Sequence, residues 1–148
     1  MFTNITEHQI RCTKCDKLLA HDHGMAGFEI KCLRCGELNR VFEHMTEQVI
    51  VTDANGKIFF INKAFERITG YTAHESIGKR ASELWGGQMP KAFYVDMWNR
   101  MKTKKESIHV TMTNKKKSGE LYDLTLTVSP ILDASGDILF FVGIEVVI

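Results

Sequence analysis

The sequence predicts an α+β protein: an antiparallel five-stranded sheet with short helices on one side, preceded by a small separate module built on cysteines. Three observations predict it. All four cysteines of the 148-residue chain fall in two tight pairs near one end, Cys12/Cys15 and Cys32/Cys35. An Asn55-Gly56 step joins two apolar runs, the strongest short signal for a hairpin. The C-terminal third then alternates apolar and polar residues in the period of half-buried strands. The texture changes at Met45, so the chain divides into modules of residues 1–44 and 45–148.

Bulk properties exclude several classes. Apolar residues make up 44% and charged residues 25%, the balance of a globular protein. A net charge of +1 sets up no global field toward nucleic acid or anionic lipid. The longest apolar run, Ile138 to Ile144, is far too short for a membrane span, which needs about 20 residues. The start "MFTNITEHQI" lacks the basic and apolar stretches of a signal peptide, so a cytoplasmic protein with reduced thiols is expected.

In the first module the spacing C-x2-C-x16-C-x2-C reads as a metal site. Each C-x2-C turn grips the ion with two thiolates, and the two turns together complete a tetrahedron at about 2.3 Å. Structural zinc on Cys12, Cys15, Cys32 and Cys35 is the expectation, and Gly36 suits the sharp turn after Cys35. Iron can use the same four ligands and stays open as an alternative. Two disulfides are disfavoured by a reducing compartment. Covalent haem attachment is excluded because Asp16 and Gly36, not histidine, follow the pairs. His21 and His23 between the pairs read as exposed loop residues, since four thiolates saturate the ion. Large apolar residues are few here (Leu18, Leu19, Phe28, Ile30, Leu33, Leu38, Val41, Phe42). Metal binding therefore supplies folding free energy, on the order of 10 kcal/mol. A closed four-thiolate site leaves no position for water and is not catalytic.

The stretches "IRCTKCDKLLA" and "FEIKCLRCGELN", from about Ile10 to Phe42, resemble the Com-like zinc fingers, named for a phage translational activator that binds RNA. The resemblance implies nucleic-acid contact, for which Arg11, Lys14, Lys17, Lys31 and Arg34 are the candidates. Residues 1–44 hold six bases and six acids. Phosphate-binding modules carry a basic excess, so a docking or purely structural ribbon is the competing expectation. Charge reversal at Lys14, Lys31 and Arg34 discriminates the two.

In the second module "EQVIVTDANGKIFFIN" forms the first two strands. "NKAFERITGY" follows as a short helix, with Phe65 and Ile68 on one face and Gly70 as its stop. Thr72 and Glu75 make a capping box for another short helix, ending before Gly78. Pro90 suits a first helical turn, and Phe93, Tyr94, Met97, Trp98 and Met101 form an apolar stripe beyond it. "SIHVTMTN" and "LYDLTLTVSP" alternate as strands around the turn "NKKKSGE", and "DASGD" leads into the last strand, "ILFFVGIEVVI". Two strands, short helices and three strands make an α+β domain.

These blocks resemble a PAS domain over nearly all of residues 45–148, in "VTDANGKIFFINKAFERITGYTAHESIGK", "PKAFYVDMW", "NKKKSGELYDLTLTVSPILDASGDI" and "FVGIEV". The family implies a sensory or interaction fold with a pocket inside and a sheet face that pairs with a second copy or a partner protein. It implies no enzymatic activity of its own, and no catalytic constellation stands out in the sequence. Blue-light chemistry through a cysteine adduct is excluded, because "GKRASELW" contains none. Haem is not expected: "PKAFYVDMWNRMK" has no histidine, and His74 and His109 read as solvated. The "NKAF", "GY", "PKAFYVDMW" and "NKKKSG" blocks resemble PAS domains that hold FAD without a covalent bond. The tryptophan that commonly helps define that site falls at Ile108, a departure that speaks against FAD. The pocket candidates are Asn62, Trp85, Trp98 and Asn114, with Asn62 also read as a helix cap and Trp98 also as plain core.

The expectation is therefore a small signalling or regulatory protein. Its PAS domain senses a ligand or dimerises, and its zinc ribbon is the output surface, for RNA, DNA or a protein partner. A redox sensor with flavin or iron is the alternative. The connecting "ELNRVFEHMTEQ" has no Pro, Gly or Ser run, which suits a stiff connection.

Overall fold

The computed structural model describes residues 45–148 in full, and before them Cys15, Phe42, Glu43 and the backbone of five short strands. Two compact units divide the chain, Met1–His44 and Met45–Ile148.

In the first unit β1 (Ile5–Thr6), β2 (Gln9–Arg11) and β3 (Leu18–His21) form a three-stranded antiparallel sheet. A separate antiparallel pair joins β4 (Glu29–Lys31) and β5 (Leu38–Arg40). In chain order, Cys12 and Cys15 fall between the paired strands β2 and β3, and Cys32 and Cys35 between β4 and β5.

The second unit is a five-stranded antiparallel sheet. It comprises β6 (Gln48–Asp53), β7 (Ile58–Ile61), β8 (Ile108–Lys115), β9 (Leu121–Leu132) and β10 (Ile138–Val147). Their order is β7-β6-β10-β9-β8, so the first and last strands of the unit lie side by side at the centre. Between β7 and β8 run α1 (Lys63–Thr69), α2 (Ala73–Ser76), a 3-10 turn at Ala81–Glu83 and α3 (Lys91–Lys102).

Local chemistry explains the punctuation. Asn62 caps α1, its Oδ1 accepting from the Phe65 amide at 3.0 Å. Gly70 ends that helix in the left-handed region, with φ of 80°. The expected Thr72/Glu75 capping box is complete, with Thr72 Oγ1 accepting from the Glu75 amide and Glu75 Oε2 from the Thr72 amide. Pro90 sits one residue before α3 rather than inside its first turn. The first hairpin turn is wider than the Asn55-Gly56 pair. Asp53 Oδ1 accepts from the amides of Asn55 and Lys57, and β7 begins only at Ile58. Asp133 builds the same turn before β10, accepting from Ser135 and Asp137.

Two packed clusters make the core. One gathers Met97, Met101, Ile108, Met112, Leu124, Leu126, Val128 and Phe141, and joins α3 to β8–β10. The other gathers Ile50, Ile58, Ile61, Phe65 and Trp85. Two glycines permit close approaches inside this unit. A Cβ on Gly143 would lie 2.8 Å from Ile50 Cγ2, so only glycine lets β10 approach β6 there. Gly56 combines a φ of +81° with a Trp98 ring that stands 2.9 Å from where its Cβ would be.

Candidate functional site

A cavity of about 460 Å³ opens inside the second unit, within the size range of small-molecule sites. The inner face of the sheet forms its floor through Ile50, Leu126, Val128 and Phe141. Met97, Trp98 and Met101 of α3 form one wall, and Ala81, Ser82 and Trp85 around the 3-10 turn form another. These positions follow from helix and strand periods. Met97 and Met101 are four apart on one face of α3, while Phe141, Gly143 and Glu145 are alternate residues of β10.

The two tryptophans are held differently. Trp85 is 1% exposed and packs against Phe65, with ring centroids 4.5 Å apart, and against Tyr71 at 6.0 Å. Trp98 is half-buried and meets Phe141 edge-on, with ring centroids 5.6 Å apart. The Lys102 ammonium stands 5.1 Å above the Trp98 ring. Arg80 and Lys102 also line the cavity, and both are exposed, so its cations stand toward solvent.

The cavity lining also includes buried polar side chains. Among them are Asn114 and Glu145, 1% and 3% exposed. Register places Glu145 opposite Gln48 of β6, and Asn114 opposite Tyr122 of β9. Among the described residues, the buried side-chain atoms without a hydrogen-bond partner all belong to these four: both polar atoms of Gln48, Asn114 Oδ1, the Tyr122 hydroxyl and Glu145 Oε2. A buried polar group left unpaired costs about 1–3 kcal/mol, and of these four residues Asn114 and Glu145 are the two that line the cavity.

Burial pushes the Glu145 carboxyl up to about 8, against a partial counter-effect from the Asn114 amide. Burial also raises the Tyr122 hydroxyl, and the neighbouring Glu145 adds to it. The folded protein keeps the Glu145 proton up to about pH 8, whereas an unfolded chain loses it at about 4.3. The folded state binds more protons in that window, so stability is fullest below it and falls as pH rises through it. Glu66 and Glu75, held low by Lys63 and Lys117, act in acid below this window. Glu145→Gln is expected to flatten the fall and to be more stable than wild type at about pH 9, by an amount on the order of 1 kcal/mol. Thermal melts across the range check it; parallel curves for the two proteins would assign the slope to other groups.

Of the residues singled out from sequence, Trp85, Trp98 and Asn114 meet at this cavity. Asn62 does not, a correction with a clear cause: its side chain is committed elsewhere. Besides capping α1, Oδ1 accepts from the Val49 amide at 3.0 Å, and Nδ2 donates to the Glu47 carbonyl at 2.9 Å, which ties the helix start to β6. His74 and His109 are exposed, and His109 Nδ1 lies 2.9 Å from Thr127 Oγ1. Ile108 is buried in the core opposite Val128. Sequence reasoning does not single out Glu145 or Gln48. The available signal is parity, since Glu145 interrupts an apolar strand on the same side as Phe141 and Gly143. Of the metal ligands, Cys15 sits half-buried in a turn, while Cys12, Cys32 and Cys35 lie outside the described residues. So do Lys14, Lys17 and Arg34; Arg11 and Lys31 are placed by backbone alone, as the last residues of β2 and β4.

Residues 36–145 match the family model of the PAS fold. The chain belongs to the PAS family. Residues 6–48 match the zinc-ribbon model of the Mu-like prophage protein Com, so a Com-like ribbon precedes the PAS domain. The PAS region is 37% identical over 100 residues to a blue-light photoreceptor of Listeria innocua, covering 66% of this chain and 39% of that protein. It is 27% identical over 109 residues to a nitrogen fixation regulatory protein of Klebsiella oxytoca, covering 71% of this chain and 22% of that protein. The chain thus spans less than half the length of these curated relatives. An RNA-binding Light-Oxygen-Voltage receptor superposes on 71% of this chain and 30% of its own, with a TM-score of 0.66 and 18% identity, a likeness of fold. Such relatives place the PAS domain in sensory signalling. Among the described residues, no helix is long and apolar enough to cross a membrane.

Proposed function

We propose that the chain is a sensory regulator whose PAS cavity takes a small planar ligand and whose four-cysteine ribbon, holding structural zinc, is the output surface. The observation that carries this reading is the cavity itself, with two tryptophans in its walls and the buried Asn114 and Glu145 among its lining. A flavin is the ligand these residues suit: Trp85 and Trp98 offer aromatic walls, and Asn114 and Glu145 offer hydrogen bonds to a ring edge. A bound flavin supplies blue-light absorption and reversible electron uptake. No cysteine lies in Met45–Ile148, so a light or redox response in this cavity is non-covalent.

Zinc would be held by Cys12, Cys15, Cys32 and Cys35, in the two connections between paired strands. The ribbon's target is proposed as RNA or DNA, contacted through Arg11, Lys14, Lys17, Lys31 and Arg34. The match to Com and the fold likeness to an RNA-binding receptor support it. The even count of six bases and six acids in residues 1–44 favours a second reading, in which the ribbon docks a partner protein. Exposed Phe59, Leu139 and Val146 give the PAS domain apolar surface for a second copy or partner.

The deciding experiment is an absorption spectrum of protein purified without added cofactor, followed by riboflavin titration. A flavin spectrum, or saturable uptake of riboflavin, is the expected result. A colourless protein that takes up none overturns the flavin reading, and a ferric-thiolate band replaces zinc with iron.

A further inference from the structure

We infer that the free edge of β8 is a pairing edge whose occupant is β8 of a second copy, aligned antiparallel about Thr111 so that two sheets join into one. The inference does not depend on the ligand or the ribbon. Its surface is also separate from Phe59, Leu139 and Val146, which lie on β7 and β10.

The two edges of the sheet are managed differently. β7 is four residues long, meets β6 through a register shift and is covered at its start. There the Ile58 amide donates to the Lys79 carbonyl and the Gly78 amide to the Ile58 carbonyl. β8 runs for eight residues, without proline, in unbroken register with β9. Between residues 107 and 113 its only titratable side chain is His109, whose Nδ1 lies 2.9 Å from Thr127 Oγ1 on the neighbouring strand. Short length, bulges, proline, charge and covering segments are how folds protect an edge, and this stretch uses none of them.

The hydrogen-bond alternation shows which groups are free. The Lys116 amide donates to the Glu120 carbonyl, in line with the β8–β9 register. Even-numbered residues of β8 therefore exchange bonds with β9, and odd-numbered ones turn their N–H and C=O groups outward. Lys115 confirms the parity, because its amide donates to the Trp85 carbonyl outside the sheet. The outward groups of His109, Thr111 and Thr113 bond to no other backbone group among the described residues. His109 and Thr111 are exposed, and Thr113 is half-buried.

A second copy matches this edge through its own sequence. Pairing about Thr111 sets each Thr111 against its counterpart and each His109 against a Thr113, which satisfies all the outward groups on both chains. Threonines then meet across the outer face, and Val110 lies opposite Met112 on the inner one. Lys115 falls opposite Ser107, so no like charges oppose. A slide of two residues one way sets Lys115 against Lys105, and the other way requires the Lys115 amide that Trp85 already holds. A foreign strand finds no charge or side-chain pocket on this edge to select it.

The test is sedimentation velocity of the full chain from micromolar to millimolar concentration, with melting curves to verify that each variant is folded. Wild type is expected to dimerise as concentration rises. Thr111→Lys places like charges at the symmetry axis from an exposed position, and is expected to weaken the dimer at least about tenfold, with recovery in high salt. Mixing Thr111→Lys with Thr111→Glu should restore a heterodimer at low salt. Thr111→Pro should block pairing while costing the sheet no internal bond, since that amide points outward; where it fails to fold, Thr111→Lys decides. Amide exchange followed by NMR should slow at His109, Thr111 and Thr113 as concentration rises, which a dimer through the apolar sheet face would not produce. A chain that stays monomeric throughout overturns the inference. So does a dimer that folded Thr111→Lys leaves unchanged, which would assign dimerisation to another surface.

Discussion

Stripping the metal with a strong chelator is expected to unfold residues 1–44 and to leave Met45–Ile148 folded. The expectation follows from where the two units get their stability. Residues 1–44 contain few large apolar side chains, and their placed strands are only two to four residues long. Strands that short are not stable in isolation, whereas a four-thiolate site contributes on the order of 10 kcal/mol. The PAS domain has its own core of two packed clusters and contains no cysteine. Limited proteolysis with mass spectrometry, before and after dialysis against chelator, reads the outcome segment by segment. Cys15→Ser should reproduce the loss without chelator. Persistent protection of residues 1–44 in demonstrably metal-free protein would show that they fold on packing alone.

Replacing Trp85 by alanine is expected to have the largest single effect inside the PAS domain. The indole is 1% exposed, packs on Phe65 and Tyr71, and forms part of the cavity wall, so its removal merges a new void with an existing one. Truncating a buried large aromatic costs about 3–5 kcal/mol, against a total of about 5–15 kcal/mol for a domain. A fall in melting temperature on the order of 20 °C is the corresponding readout. Trp85→Phe should recover part of it, since a ring still meets Phe65. Riboflavin affinity should drop in both variants, more in the alanine. A melt displaced by only a few degrees would remove Trp85 from the core anchors and leave Phe65 to hold that cluster.

The parts of this molecule that were legible in the sequence depend on interactions within a few residues. The Thr72/Glu75 box, the Gly70 stop and the alternation of β8 and β9 are such features, and each is in place. Turn width was less legible. Asn55-Gly56 alone suggests a two-residue turn, but the Asp53 carboxylate gathers two amides and sets a longer one. Asn62 was readable in two ways, as a cap or as a pocket residue. What decided between them was the backbone at Glu47 and Val49, far enough along the chain that no short window contains both partners.

The buried polar residues at the cavity lining show the boundary most clearly. From its sequence this chain determined four cysteines in two C-x2-C pairs, a PAS order of strands and helices, and an apolar stripe on α3. Ligand spacing and the strand and helix periods are properties of short windows. Parity along β10 could say that Glu145 faces inward with Phe141, but not what it would face. Only the strand order β7-β6-β10-β9-β8 decided that, by laying the domain's last strand beside its first. Gln48 and Glu145, from opposite ends of the domain, thereby became cross-strand neighbours. Asn114 and Tyr122 complete the cluster, with no cation among the four. Closing a loop of that length is an act of the whole sheet, and so the chemistry of the site belongs to the tertiary structure.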